Sequence, residues 1–217
     1  MKHLEKLRAK VRDSIMLESG IAEALSKGDG SDAKFYIRYL TNVWHYAQHS
    51  STVIGLAGTR CVLSHPPLAQ YLLHHALEEL GHDQWVLEDL RALNVAEEEV
   101  GKSKPVPACA AMIGYEYYIA AYGNPVGLFG WLYILEAMGD DLGHLVSAAI
   151  KQGLNIPEGV KFLSGHGEAD AEHTKDIVEQ IERNILDTDL EDVHFVAGVV
   201  ADLYARMFKE IMEGREL

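Results

Sequence analysis

Cysteine is nearly absent. Cys61 and Cys109 are the only two in 217 residues, too few for a disulfide framework or a thiolate metal cage. Basic residues are also scarce: 19 Lys and Arg stand against 33 Asp and Glu, a formal net charge of −14. Such a field repels phosphate backbones, so nucleic acid is not an expected partner. No apolar run approaches the roughly 20 residues of a membrane span. The opening Met1-Lys2-His3-Leu4-Glu5-Lys6 alternates charge where a secretory signal would be apolar. A reducing, cytoplasmic setting is the expectation. Strand signals are missing too, because no alternating β-branched run is flanked by hairpin turns. What is abundant is apolar character, 48 % of the residues and enough for a sizeable core, together with eleven histidines.

Helical periodicity dominates and predicts one all-α domain over residues 1–217, built from seven helices. Residues 3–26 read as the first, ended by Lys27-Gly28-Asp29-Gly30. Ser31 or Asp32 can cap a second that runs to about Leu56. Pro66 and Pro67 start a third that reaches Leu93, since proline suits a first helical turn. An acidic, proline-containing connection covers 94–106. The fourth spans 107–121, and Gly123-Asn124-Pro125 separates it from a fifth at 126–151. The sixth covers 157–186, with glycines at 165 and 167 that weaken helix propensity. The seventh runs from Leu190 to Met212.

Four stretches carry potential chemistry. The third helix contains Glu78-Glu79-Leu80-Gly81-His82, and helical spacing would put Glu79 and His82 on one face. The sixth contains His166, Asp170 and His173 at i, i+4 and i+7, one continuous stripe. In the fifth, Glu136 is the only charge in an apolar stretch that begins at Tyr122. A buried carboxylate needs a cation, a hydrogen-bond partner or a route to solvent. The second helix offers His45 and His49, one turn apart. Each piece has an ordinary alternative: a solvated face, a buried salt bridge, a core histidine. Together they match a known plan in which two helices each give one Glu and two others each give a Glu-x-x-His pair around two metal ions. Glu79-x-x-His82 and Asp170-x-x-His173 would be the pairs, Glu136 one single carboxylate, and His45 the residue from the remaining helix. A nitrogen–oxygen set without thiolate suits iron or manganese, and zinc is compatible.

With these residues in place, the chain resembles the haem-oxygenase-like dimetal oxidases, often called iron-containing redox enzymes, on the scaffold shared with TenA- and PqqC-like proteins. The likeness spans about residues 35–180. It rests on Glu79-x-x-His82, Glu136 and His166-x-x-x-Asp170-x-x-His173, supported by Tyr71-Leu72-Leu73-His74-His75 and Gly114-Tyr115-Glu116-Tyr117-Tyr118. The resemblance implies a seven-helix haem-oxygenase-like bundle without haem. It also implies two ferrous ions between core helices, and O2 as the oxidant of a small organic substrate. Glu79 and Glu136 are then the candidate catalytic carboxylates, and His45, Glu79, His82, Glu136, His166, Asp170 and His173 the candidate metal ligands. A homodimer is compatible with this scaffold. One position departs from the family pattern: where a Glu is usual, about 34 residues before Glu79, this chain has His45. With His45 as a ligand the site has three carboxylates, and two divalent ions keep a residual charge of +4 − 3 = +1. Alternatively His45 is not a ligand and one metal position is weak.

Other features have plainer readings. The aromatic residues Tyr115, Tyr117, Tyr118, Tyr122, Trp131 and Tyr133 read mainly as core. Asp140 and His144 continue the Glu136 stripe, either as groups that support the centre or as its run-out to the exposed end of the helix. Cys109 has no base fixed beside it by sequence. Two other functions remain open from sequence: a metal-free TenA- or PqqC-like enzyme in which the same groups work as acids and bases, and a non-catalytic metal-binding helical protein.

Overall fold

Two of the sequence's turn signals, Pro66-Pro67 and Gly123-Asn124-Pro125, act as expected, and one glycine acts where no break was expected. The computed structural model describes residues 1–18, 31–154 and 159–214; the side chains of 18, 31, 32, 154 and 166–171 lie outside the description. Among the described residues the chain is all-helical, with nine α-helices. They are α1 (Lys2–Asp13), α2 (Ser31–Cys61), α3 (Pro66–Glu78), α4 (His82–Ala92), α5 (Glu97–Lys102), α6 (Pro107–Ala121), α7 (Leu128–Leu154), α8 (Lys161–Asn184) and α9 (Asp187–Met212). A single π turn, Ser14–Glu18, follows α1, and a 3-10 turn, Pro125–Gly127, precedes α7. Pro66, Pro107 and Pro125 stand in the first turns of their helices, where the missing N–H costs nothing and φ is preset.

The count exceeds seven for two reasons. The connection 94–106 forms the short helix α5, whose first turn is Glu97, Glu98 and Glu99, a favourable place for acidic side chains near the helix dipole. The expected third helix is two helices, α3 and α4. Gly81 breaks it with φ of 97°, a left-handed conformation that only glycine adopts without steric cost.

Packing follows the apolar faces. α7 lies against α8 and α9, while α2 is flanked by α3, α4 and α6. Tyr36, Leu40 and Ile54 of α2, Leu68 and Leu72 of α3, and Phe129 and Tyr133 of α7 are fully buried in a shared core. Gly130 lets α7 meet α9 backbone to backbone: a Cβ there would strike the carbonyl oxygen of Val193 and approach the Ala197 nitrogen to 2.7 Å. Two buried carboxylates hold helix starts in place. Asp89 of α4 accepts from the backbone N–H groups of Lys161 and Phe162, both at 2.8 Å, and so fixes the beginning of α8. Glu210 of α9 accepts from the Ala108 N–H at 2.8 Å and from Arg206. Each satisfies amide donors that a helix N-terminus leaves unpaired.

Candidate metal centre

The break at Gly81 shapes the centre. Glu79 is the residue that closes α3, its backbone N–H bonded to the His75 carbonyl at 3.0 Å. His82 is the first residue of α4. The Glu79-x-x-His82 pair therefore straddles a turn and does not share one helical face, a correction to the sequence expectation. The two side chains still meet, with His82 Nδ1 3.2 Å from a Glu79 carboxylate oxygen. The His82 ring lies against Trp85, with ring centroids 4.4 Å apart.

One turn before Glu79 on α3 stands His75, only 1 % exposed. Its Nε2 is 3.3 Å from one oxygen of Glu136 on α7. The other Glu136 oxygen is 3.4 Å from Nδ1 of His173 on α8. The two imidazole rings meet edge to face at 4.8 Å. His75, Glu79, Glu136 and His173 can each offer one ligand atom such that all four atoms lie within 4.8 Å of one another. At the rim, the more exposed Glu78 is 3.4 Å from His75 Nδ1 and 3.9 Å from His173 Nε2. Tyr71 stacks on His75 from the other side, nearly parallel at 5.6 Å.

Electrostatics in this nest favour positive charge. Burial, the largest single influence on His75, pushes its pKa down, yet Glu136 and Glu79 together carry it above the ordinary value. His173 is raised chiefly by its contact with Glu136. Both ring nitrogens of His75 and Nδ1 of His173 are buried, and their carboxylate partners stand at 3.3–3.4 Å, longer than a strong charged hydrogen bond of about 2.8 Å. Leaving a buried polar atom unsatisfied costs about 1–3 kcal/mol, a cost that a shared cation removes. Two imidazoles and two carboxylates form a donor set suited to a divalent first-row metal. Ligand atoms around a tetrahedral ion stand about 3.4 Å apart, so side-chain rotations that draw these groups inward would close the nest. The residues present fit a metal ion.

The other sequence candidates are placed as follows. His166 and Asp170 have side chains outside the described residues. His45 is not brought to the nest: its Nε2 is 2.9 Å from the Ser103 hydroxyl, its ring touches Trp44, and burial lowers its pKa. The reason is helical phase. The face of α2 turned toward the centre carries Tyr46, Ala47, Ser50 and Ile54, whereas His45 and His49 share the neighbouring face, where His49 is 3.1 Å from the Tyr117 hydroxyl. Asp140 pairs with Arg8 at 2.6 Å and His144 is exposed, so the Glu136 stripe does run out to the surface. Tyr118 and Tyr122 are exposed, whereas Trp131 and Tyr133 are buried. Cys109 is buried with its thiol 3.5 Å from the Asn42 carbonyl, and burial pushes its pKa up, which is the opposite of an activated nucleophile.

His75 is the residue that sequence reasoning missed. A signal was present: Leu68, Leu72, His75, Ala76 and Glu79 share one helical face, so His75 lies on the side of α3 that the apolar residues turn inward.

Glu79 and Glu136 also line a narrow cavity of about 90 Å³ that is partly open to solvent. Its walls come from α2, α7, α8 and α9, with Ile15 at one side.

Comparison with known proteins agrees with this architecture. A family model described as iron-containing redox enzyme matches residues 37–205. No curated relative matches the chain. Among solved structures, a domain of unknown function with a haem-oxygenase-like fold from Shewanella denitrificans OS217 is 30 % identical with a TM-score of 0.87, covering 97 % of this chain and 91 % of that one. A TenA homologue from Pseudomonas syringae pv. tomato DC3000 is 12 % identical with a TM-score of 0.72, covering 99 % of this chain and 92 % of its own. A TenA homologue from P. horikoshii OT3 is 15 % identical with a TM-score of 0.68, covering 98 % and 97 %. The last two likenesses concern the fold alone.

Proposed function

The chain belongs to the family of iron-containing redox enzymes, and from that premise we propose that it is a non-haem oxidase or oxygenase that uses O2 to oxidise a small organic substrate. The observation that carries this reading is the convergence of His75, Glu79, Glu136 and His173, from three helices, on one buried point. Bound iron would supply the electrons for O2 reduction, chemistry that side chains lack. The protein's own part is to hold, orient and exclude. Glu136 lies between two imidazoles and balances positive charge in the interior. Glu79, beside His82, is placed to bind a metal or to accept a proton from substrate. The largely apolar cavity wall lowers the polarity around the reacting groups.

The four described ligands make a seat for one ion. We extend the ligand set to His82, and to His166 and Asp170 on their register in α8 ahead of His173, which would provide for a second. A metal-free acid–base site is a second reading with one observation in its favour: Glu136 raises the pKa of both imidazoles, so the nest can hold a proton as well as a cation.

The test is anaerobic loading with ferrous iron, desalting, an iron count per chain, and O2 uptake with and without the metal. Retention of one to about two irons with iron-dependent uptake supports the oxidase. No retained iron and unchanged uptake leaves the acid–base reading.

A further inference from the structure

We propose that the cavity beside the nest is a sleeve for an elongated apolar molecule with a single polar terminus, the terminus lying at Glu79 and Glu136 and the body running along α2 toward Phe35. This rests on the reading of the nest as the reacting centre and names the substrate class for it.

The lining chemistry carries the inference. Among the described residues that line the cavity there is no Lys, Arg or His, and the only formal charges are Glu79 and Glu136. A phosphate, a sugar or a zwitterion carried along the α2 wall would lose its hydration with no countercharge among the described residues to replace it. The remaining wall is made of groups such as Ala47, Leu135, Met138, Leu142 and Phe162, which reward apolar contact alone. Among the polar atoms beyond Ser50, the buried Tyr46 phenol is already engaged with Tyr204.

The length of the sleeve follows from the helix. Ser51 donates to the Ala76 carbonyl at 2.7 Å, which sets α2 beside the last turn of α3 and so places Glu79 next to Ala47 and Ser50. The lining continues along α2 to Tyr39 and Phe35. At 1.5 Å per residue the path from Ser50 to Phe35 is about 22 Å. It ends in an aromatic group in which Tyr39 meets Phe208 at 5.4 Å between ring centroids. A polar end and an apolar end this far apart select an amphiphile with its head at the nest.

Titration calorimetry on the metal-free protein with the straight-chain alcohols butanol, hexanol, octanol and decanol tests this. The expected result is affinity rising about four-fold for each added methylene, which corresponds to ~0.8 kcal/mol. Octanol should bind at least ten-fold more tightly than the α,ω-diol of the same length, whose second hydroxyl must enter the apolar end. Ala47→Phe, which fills the sleeve beside the nest, should flatten the chain-length dependence. The wild-type series decides the matter on its own if that variant does not fold. Flat affinity across the series, or equal binding of alcohol and diol, overturns the proposal. The measurement needs no iron, so the two readings fail separately: a flat series with iron retained removes the sleeve, and a steep series with no iron retained removes the oxidase.

Discussion

Glu136 illustrates how one residue concentrates the chemistry of this protein. It is the only formal charge between Tyr122 and Met138, it is 7 % exposed, and an imidazole stands at each of its oxygens. Glu136→Gln keeps the shape and removes the charge. We expect iron retained after desalting to fall at least ten-fold, with near-wild-type helical content by circular dichroism. His75→Ala should weaken iron binding comparably, whereas His45→Ala, which removes only the contacts with Ser103 and Trp44, should leave it unchanged. A second buried carboxylate behaves differently. Glu116 on α6 is 1 % exposed, and burial raises its pKa well above the ordinary value, offset only in part by the Trp131 indole. The folded state then binds a proton more readily than the unfolded one. Glu116 therefore contributes most to stability below its unfolded value of about 4.3, and that contribution is lost as pH rises through the folded value. Glu116→Gln, a permanently neutral equivalent, should be more stable than the parent at neutral pH. Urea titrations at several pH values should show the difference shrinking as pH falls toward 4.

At the scale of elements, two glycines do separate work. Gly81 sets the break that ends α3 at Glu78 and starts α4 at His82, and a Cβ there would meet nothing within 4 Å. Its role is conformational only, so Gly81→Ala should cost about 1–2 kcal/mol in urea denaturation. It should also disturb iron retention, because Glu79 and His82 flank the break. Gly130 has the opposite character: its backbone is ordinary helix, and its neighbours forbid a side chain. Gly130→Ala must push α7 from α9 and should cost about 3 kcal/mol or more, measured by the same titration. Helix existence was legible for nearly every element, because apolar spacing and first-turn prolines are local signals. The split of α3 from α4 was not, since glycine inside an apolar helical pattern is usually tolerated. The pairing of Glu79 with His82 was thus expected for a reason that the backbone overturns, although the two groups do touch.

For the whole molecule, a metal held in the nest would be linked to the fold. The nest joins α3, α7 and α8, so a cation bound there would tighten a junction that the contacts of Glu136 with His75 and His173 already make. Ferrous iron at a hundred-fold excess over its dissociation constant should add about 2.7 kcal/mol to the stability of the folded state. Differential scanning calorimetry under anaerobic conditions should show the melting temperature rising with iron concentration and returning on chelation. The net charge of −14 adds a general attraction for cations. Among the described residues no helix is long and apolar enough to cross a membrane.

The order of apolar and polar residues along the chain was sufficient to specify an all-helical protein and to point to Glu79, Glu136 and His173, because helix period and isolated buried charge are properties of short segments. Which face of α2 turns inward, and so why His45 stands beside Ser103 while Ser50 borders the cavity, was decided only by packing. So was the place of His75 among the four converging groups. Helical phase relative to neighbouring helices depends on contacts between residues far apart in sequence, and no local pattern contains it.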